Sequence, residues 1–284
     1  MIFWIASYPK SGNTWLRALI SSYYYTADGI FDANTIKKIG QFPEKRHFSN
    51  FNYDKNIVTD TSRFWIEAQK KINQEKKIIF FKTHNAFGAL NNNHFTDNKN
   101  SIGAIYVVRD PRNIITSLKN HYEFDNDQAL KWMTNEKNYI YDVNKFEEDG
   151  YSDFQFVSSW HTNYKSWMVQ KKIPIKIIKY EDLLSKTFSV FKELVEFINN
   201  TTKNNQKIDK EKLKNSVNST TFNKLKDNEQ KNGFSEAVTS KKHNKKIPFF
   251  YLGPKNDWNK ILDSDLKIKL NNTFKKNLVE LSYN

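Results

Sequence analysis

Short, continuously apolar runs alternate along this chain with longer stretches in which apolar and polar residues are interspersed. The apolar runs predict buried strands at residues 2–7, 78–82, 103–108 and 173–179. The mixed stretches predict helices at residues 14–25, 111–122, 154–170 and 187–199. Because strands alternate with helices and each strand is apolar on both faces, we predict a single α/β domain over residues 1–284, with a central parallel sheet flanked by helices.

Three polar stretches interrupt this alternation, at residues 91–100, 123–153 and 227–246. We predict that they are loops, and that 123–153 and 227–246 are insertions that form lids over an acceptor site. In open parallel sheets, ligands bind beyond the carboxyl ends of the strands. The residues that follow each predicted strand are therefore the first candidates for a functional site.

The charge balance and the absence of cysteine narrow the possible functions. The 284 residues include 45 Lys and Arg against 31 Asp and Glu, a net charge of +14. Lysine is spread along the chain rather than clustered, so we expect a solvated lysine-rich surface and no nucleic-acid partner. Without cysteine there is no disulfide, thiol nucleophile or cysteine-bound metal. The apolar runs are too short to span a bilayer and no signal peptide is evident, so we expect a cytoplasmic protein.

The first predicted strand leads through the sequence Tyr-Pro-Lys-Ser-Gly-Asn-Thr-Trp, residues 8–15, into a helix. Such a turn presents backbone N–H groups and the positive end of the helix dipole to an anion. Unlike in a Walker A loop, Lys10 precedes Gly12, and the ends of the later strands carry basic residues where a Mg²⁺-binding acid is expected: Lys82, Arg109 and Lys179. The loop therefore predicts a phosphate-like ligand. A P-loop kinase or NTPase and a polyanion-binding protein stay open as alternatives.

Residues 8–15 closely resemble the 5′-phosphosulfate-binding loop of the cytosolic-type sulfotransferases, which use 3′-phosphoadenylyl sulfate (PAPS) as donor. The resemblance implies that Lys10 contacts the leaving phosphate and its bridging oxygen, and that Trp15 stacks on the adenine. It also implies that the 5′-phosphate is held by the loop residues Ser11, Gly12, Asn13 and Thr14.

Later segments resemble other parts of the same family, in the family's order. The segment 109–117, beginning Arg-Asp-Pro-Arg, is similar to the 3′-phosphate-binding segment and implies Arg109 and Ser117 as its ligands. Lys-Thr-His at 82–84 matches the motif in which the histidine is the general base. This implies that His84 deprotonates the acceptor and that Lys82 lies beside the transferring group, so that the implied catalytic residues are Lys10, Lys82, His84 and Ser117.

The adenine site and the closing loop complete the resemblance. Tyr180, which follows the fourth predicted strand, is implied near the adenine, and Thr221 and Phe222 resemble the residues that pack around the base. The family's closing loop is only partly matched at 251–259, where its two leading basic residues, its second glycine and its final lysine are replaced. Lys255 or Lys260 is the candidate replacement for the missing charge.

The implied reaction is an in-line transfer of a sulfuryl group from PAPS to a hydroxyl or amine, with no metal required. The acceptor is left open between a small molecule and a glycan. A small molecule would suit an aromatic pocket, for which the sequence offers Phe42, Phe48, Phe51, Tyr53, Trp65 and Phe87. A sugar or anionic glycan would suit an open cleft formed by the Asn- and Lys-rich stretches, and a catalytically weak nucleotide-binding protein is a further alternative.

Overall fold

The computed structural model describes residues 1–240 and 243–283, so residues 241–242, inside the predicted 227–246 insertion, and residue 284 lie outside the described part. The strands are β1 (Ile2–Ser7), β2 (Gly40–Gln41), β3 (Ile79–Thr83), β4 (Ala89–Leu90), β5 (Asn93–His94), β6 (Ser101–Val108), β7 (Tyr139–Ile140), β8 (Gln155–Phe156) and β9 (Ile175–Lys179).

The first six helices are α1 (Asn13–Tyr25), α2 (Trp65–Asn73), α3 (Pro111–Tyr122), α4 (Asn126–Thr134), α5 (Phe146–Asp149) and α6 (Trp160–Val169). The remaining helices are α7 (Tyr180–Ser185), α8 (Thr187–Thr202), α9 (Lys210–Ser219), α10 (Phe222–Asn232), α11 (Trp258–Ile261) and α12 (Ser264–Glu280). Short 3₁₀ turns lie at Thr35–Lys38, Lys45–Phe48, Asp60–Phe64 and Gly253–Lys255.

The central sheet has five parallel strands in the order β2-β3-β1-β6-β9. This confirms the predicted single α/β domain with a central parallel sheet flanked by helices. The fifth strand, β2, was not predicted, because a two-residue strand leaves no apolar run in the sequence. Since β1 lies at the centre, with β3 and β6 as its neighbours, the loops after these three strands open onto the same edge of the sheet.

Both faces of the sheet are buried. Trp4 and Tyr106 face an aromatic-rich core layer, where the rings of Tyr106 and Trp167 of α6 lie 6.1 Å apart. Phe3 faces the opposite layer, which includes Leu194 of α8. The strands are thus held from both sides by close packing, which fixes the positions of the residues at their carboxyl ends.

Two predictions of local structure were wrong. The helix predicted over 154–170 begins only at Trp160, because Ser159 caps its first turn and the segment before it pairs as β8. The stretch 123–153 is not a plain loop but contains α4, α5 and β7, and residues 227–232 extend α10. These helices bury only a few side chains each, so their polar sequences carry little apolar signal.

Candidate functional site

The turn between β1 and α1 adopts a conformation that few residues tolerate. Lys10 has φ 66° and Gly12 has φ 100°. The Tyr180 ring also packs directly on Gly12, so that a Cβ atom there would lie 2.5 Å from Tyr180 Cδ2. Two features therefore require glycine at position 12, the positive φ and the lack of space for a Cβ atom. Backbone strain of this kind is typical of ligand-binding turns.

The N-terminus of α1 presents backbone amides to the cavity side of the turn. Its N-cap residue is Gly12, and no side-chain cap bond is made there among the described residues. The Asn13 side chain donates to the Ile5 carbonyl at 3.0 Å and to Ser7 Oγ at 3.3 Å, which holds the turn in place. Ser11 Oγ is buried and makes no hydrogen bond within the described residues. The turn thus has the backbone geometry that the sequence predicts, and phosphate binding stays a prediction.

A carboxylate from a distant segment lies at this helix end. Glu236, in the segment after α10, accepts hydrogen bonds from Thr14 Oγ1 at 3.0 Å, Arg17 Nη1 at 2.5 Å and Lys82 Nζ at 2.8 Å. Burial raises its pKa, but Lys82 and Arg17 outweigh burial and hold the pKa well below its usual range. Neither Glu236 nor Arg17 was predicted as a site residue, because neither belongs to a motif with a chemical signature.

The two lysines predicted for the site are both desolvated. Burial, together with Arg109 and Lys82, lowers the pKa of Lys10 to about 7, although Glu236 opposes the shift. The Lys10 ammonium lies 4.0 Å from the centre of the Phe249 ring. Burial also lowers the pKa of Lys82. The carboxylates near Lys10 and Lys82 therefore do not fully offset the effect of burial on the pKa values of these two ammonium groups.

His84 follows β3 and is held in one orientation. Its Nδ1–H donates to the Ser7 carbonyl at 2.7 Å, and its backbone N–H donates to Gln155 Oε1 at 2.7 Å. With the proton fixed on Nδ1, the neutral ring has Nε2 available as a proton acceptor. Burial and the nearby Lys82 lower the pKa of His84 to about 4, so the ring is neutral at neutral pH.

Two further polar residues of the site, Gln155 and His121, were not predicted from the sequence. Gln155 on β8 was predicted to lie in a helix, and no motif marks it, yet it holds the backbone of His84. His121 near the end of α3 lines the same cavity, and burial together with the positive charge of Lys10 lowers its pKa to about 3. In the sequence His121 had no distinguishing neighbours.

The residues predicted for the nucleotide lie together on the other side of the turn. The Arg109 guanidinium stacks 4.2 Å from the centre of the Tyr180 ring, and its Nη1 donates to the Lys10 carbonyl at 3.0 Å. Arg109 Nε is buried without a hydrogen-bond partner among the described residues. The Trp15 ring packs edge-on against Tyr180, and Thr221 lines the cavity beside them.

The closing loop does not bring the predicted lysine charge to the cavity. Ser117 lines the cavity, but Lys255 is exposed and lies outside its lining. The loop is instead tied to α3 by Asn256, whose amide donates to the Asn113 carbonyl at 2.8 Å and to Ser117 Oγ at 3.4 Å. Lys260 is also exposed and pairs with Asp257. The structure therefore brings neither candidate lysine to the site.

One cavity of about 1670 Å³ is lined by Lys10, Lys82, His84, Arg109 and Tyr180. Parts of the two predicted insertions, residues 123–153 and 227–246, also line it. Three of the aromatic residues predicted for an acceptor pocket line it: Phe48, Phe51 and Tyr53. The other three pack in the hydrophobic core: Phe42, Trp65 and Phe87.

Within residues 1–240 and 243–283, no helix combines the length and apolar composition needed to cross a membrane. The same residues contain no group of three or more His, Asp or Glu side chains placed to hold a metal ion. The functional cluster described above contains lysine, arginine, histidine and hydroxyl groups, and Glu236 is the carboxylate that bonds Thr14, Arg17 and Lys82.

Solved structures of known sulfotransferases share this architecture. Mouse sulfotransferase SULT7A1, solved with PAP, superposes with a TM-score of 0.55 at 18% identity, over 98% of this chain and 84% of its own. Retinol dehydratase, solved with androsterone and the inactive cofactor PAP, gives a TM-score of 0.53 at 15% identity, over 98% of this chain and 80% of its own. At these identities the likeness establishes the fold.

Sequence comparison extends the relationship to the family. Luciferin sulfotransferase of Photinus pyralis is 22% identical over 98% of this chain and 72% of its own length. Sulfotransferase 1A1 of Rattus norvegicus is 22% identical over 89% of this chain and 76% of its own length. The profile of the sulfotransferase domain matches residues 2–282, from the first strand to beyond the last helix. This protein therefore belongs to the sulfotransferase domain family.

Proposed function

We propose that this protein transfers a sulfuryl group from PAPS to a hydroxyl or amine of an acceptor. The observation that carries the proposal is the bond between His84 Nδ1 and the carbonyl of Ser7. Ser7 ends the strand that leads into the anion-binding turn, so this bond fixes a neutral base beside the place where the turn would hold a phosphosulfate group.

The binding groups fit such a donor. The uncapped helix N-terminus and Ser11 Oγ, which is buried without a hydrogen-bond partner among the described residues, suit the 5′-phosphate. Arg109, whose Nε is likewise buried and unpartnered in the described part of the chain, and Ser117 would bind the 3′-phosphate. The aromatic and polar groups assigned to the adenine are Trp15, Tyr180, Thr221 and Phe222.

The reactive groups have complementary tasks. PAPS supplies the sulfuryl group, and the new bond forms to the acceptor oxygen or nitrogen as the bond to the bridging phosphate oxygen breaks. His84 Nε2 takes the acceptor proton, because the ring is neutral and its other nitrogen is already bonded. Lys10 neutralises charge on the leaving phosphate oxygen, and Lys82 stabilises the transferring oxyanion. Charge stabilised in a desolvated site contributes more than it does in water.

The acceptor side of the cavity suits a small molecule with an apolar body. The cavity volume of about 1670 Å³ exceeds the usual range for one ligand, which leaves room for a donor and an acceptor together. Phe48, Phe51 and Tyr53 supply apolar walls there. Retinol dehydratase, which shares the fold, was solved with androsterone, a small alcohol.

Calorimetric titration with adenosine 3′,5′-bisphosphate (PAP) tests the donor site, with 5′-AMP and Mg·ATP as controls. We expect saturable binding that depends on the 3′-phosphate. A sulfate-transfer assay with PAPS and a panel of phenols, alcohols, amines and sugars then tests the reaction. Binding of PAP no tighter than that of AMP, or preferential binding and hydrolysis of Mg·ATP, would contradict the proposal and favour a P-loop kinase or NTPase.

A further inference from the structure

The site contains two buried cations that need an anion. The side chains of Arg17 and Lys82 are 6% and 14% exposed, and both bond to the same oxygen, Oε1 of Glu236. Burying two like charges without a counter-charge is strongly unfavourable. In the absence of any ligand, Glu236 is the group that supplies this counter-charge, and Thr14 Oγ1 bonds its second oxygen at 3.0 Å.

The position of the carboxylate coincides with the anion-binding turn. Thr14 is in the first turn of α1, where the backbone amides and the helix dipole favour negative charge. Lys82 comes from the end of β3, two residues before the proposed base. A carboxylate held by these groups occupies the space into which a phosphosulfate group would have to enter.

The Arg17 guanidinium is held so that its Nη1 atom faces Glu236. Its Nη2 donates to the carbonyls of Ile36 and Ile39, at 3.4 and 3.0 Å, which fixes the guanidinium plane. Nη1 then points at Glu236. A planar guanidinium fixed in this way suits a tetrahedral oxyanion as well as a carboxylate.

The segment that carries Glu236 is not part of the sheet. It follows Gly233, which ends α10 with φ 72°. The next residue, Phe234, packs on the rings of Phe249 and Phe250 at 4.9 and 5.4 Å. Glu236 therefore reaches the site from a connection whose displacement would break no hydrogen bond of the sheet.

We propose that Thr14, Arg17 and Lys82 form an oxyanion subsite that the phosphosulfate of the donor fills in the loaded protein and that the Glu236 carboxylate fills when the donor is absent. Glu236 is then an internal competitor for the donor, and Arg17 is a further donor-binding residue. The identity of the donor in this inference rests on the proposed function; the existence of the subsite does not.

The first test compares anion binding by the wild-type protein, Glu236→Gln and Glu193→Gln. Glu193 is an exposed carboxylate paired with Lys176 and serves as the matched control. Glutamine keeps the size of the side chain but removes the charge that competes with the donor. If the carboxylate fills the subsite about nine-tenths of the time, its removal tightens PAP binding about tenfold, because the competent fraction rises accordingly. Glu193→Gln should bind PAP as the wild type does.

Inorganic sulfate separates this inference from the proposed function. Millimolar sulfate should raise the thermal unfolding midpoint of Glu236→Gln more than that of the wild type, and adding Arg17→Met should remove the difference. Equal binding of PAP and of sulfate by wild type and Glu236→Gln would refute the subsite and leave the sulfotransferase proposal standing. Sulfate binding without PAP binding would support the subsite and refute the proposed donor.

A charge-rescue variant tests the competing charge directly. The chain has no cysteine, so Glu236→Cys introduces a single thiol. Modification with 2-sulfonatoethyl methanethiosulfonate returns a negative charge to the position and should weaken PAP binding relative to the unmodified variant. Modification with the trimethylammonium reagent should not weaken it in this way. Equal effects of the two reagents would refute a competing charge.

Glu236→Asp covers the case in which Glu236→Gln does not fold, because it keeps a negative charge for Arg17 and Lys82 but shortens its reach. It should bind PAP more tightly than the wild type. Binding no tighter than that of the wild type would contradict competition by the carboxylate.

Discussion

Replacing Gly12 with alanine is expected to lower the free energy of unfolding by about 2–5 kcal/mol, through two separate effects. The first is conformational, because Gly12 has φ 100°, which an L-residue adopts at a cost of about 1–2 kcal/mol. The second is steric, because the added Cβ would lie 2.5 Å from Tyr180 Cδ2 and 3.0 Å from Tyr180 Cε2. Overpacking of this kind costs about 1–3 kcal/mol where the neighbour is held in place.

Gly233→Ala provides a comparison without a close contact. Gly233 has φ 72° and ψ 174°, a conformation found almost only at glycine, and among the described residues no atom lies within 4 Å of the position that an alanine Cβ would take, so alanine there costs about 1–3 kcal/mol of backbone strain alone. The steric cost at position 12 is measured by the coupling between positions 12 and 180. Tyr180 is itself stacked on Arg109, so displacement of its ring should also weaken PAP binding in Gly12→Ala.

Urea titrations followed by tryptophan fluorescence measure both variants against the wild type, with the midpoint shift converted by the shared slope. A Tyr180→Ala variant and the double variant complete a cycle that gives the coupling between positions 12 and 180 directly. If the cycle shows no coupling between positions 12 and 180, the close approach of Tyr180 to the turn is not what constrains this glycine.

Three further predictions concern charge in and near the site. Because the pKa of Lys10 is lowered to about 7, its positive charge is present below that pH and lost above it. The value of kcat/KM should therefore fall as the pH rises through about 7. Lys10→Arg should move that fall to higher pH. His84→Asn should lower kcat about 10²–10⁴-fold with PAP affinity unchanged, because the amide cannot take the acceptor proton. Asp110→Ala should cost about 3–5 kcal/mol in urea unfolding, since it leaves buried Arg112 without the carboxylate 2.7 Å from its Nη2; a cost below about 1 kcal/mol would contradict this.

The predictable part of the fold came from features that repeat in sequence. Strands β1 and β6 are buried on both faces and therefore appear as continuous apolar runs, and the start of α3 is marked by Asp110 followed by a proline. The short strand β2 was not predictable in the same way, because its place depends on pairing with the distant strand β3, and such a contact leaves no local pattern of hydrophobicity. Helix α4 does have a local start signal, the capping box of Asp125 and Gln128, but the polar character of the stretch led to the prediction of a loop.

The residues of the candidate site divide in the same way, into those with a local sequence signal and those without one. Lys10, Lys82 and His84 could be identified as candidates because each lies at or just after the end of a strand, within a recognisable motif. Gln155 could not, since its role depends on one bond across 71 residues of sequence to the backbone of His84. Residues that position a reactive group from a remote segment have no spacing that reveals them.

Glu236 shows why the charge of this site cannot be deduced from its motifs. The motifs place Lys10 and Lys82 together and therefore predict a strongly positive cradle. The structure adds Arg17, which increases the positive charge, and Glu236, which compensates part of it. Burial lowers the pKa of Lys10 although Glu236 and Glu229 oppose the shift, so these two carboxylates do not fully offset the cost of burying the ammonium group. A donor with several negative charges would compensate them more completely, which favours a polyanionic nucleotide over a monoanion as the ligand of this turn.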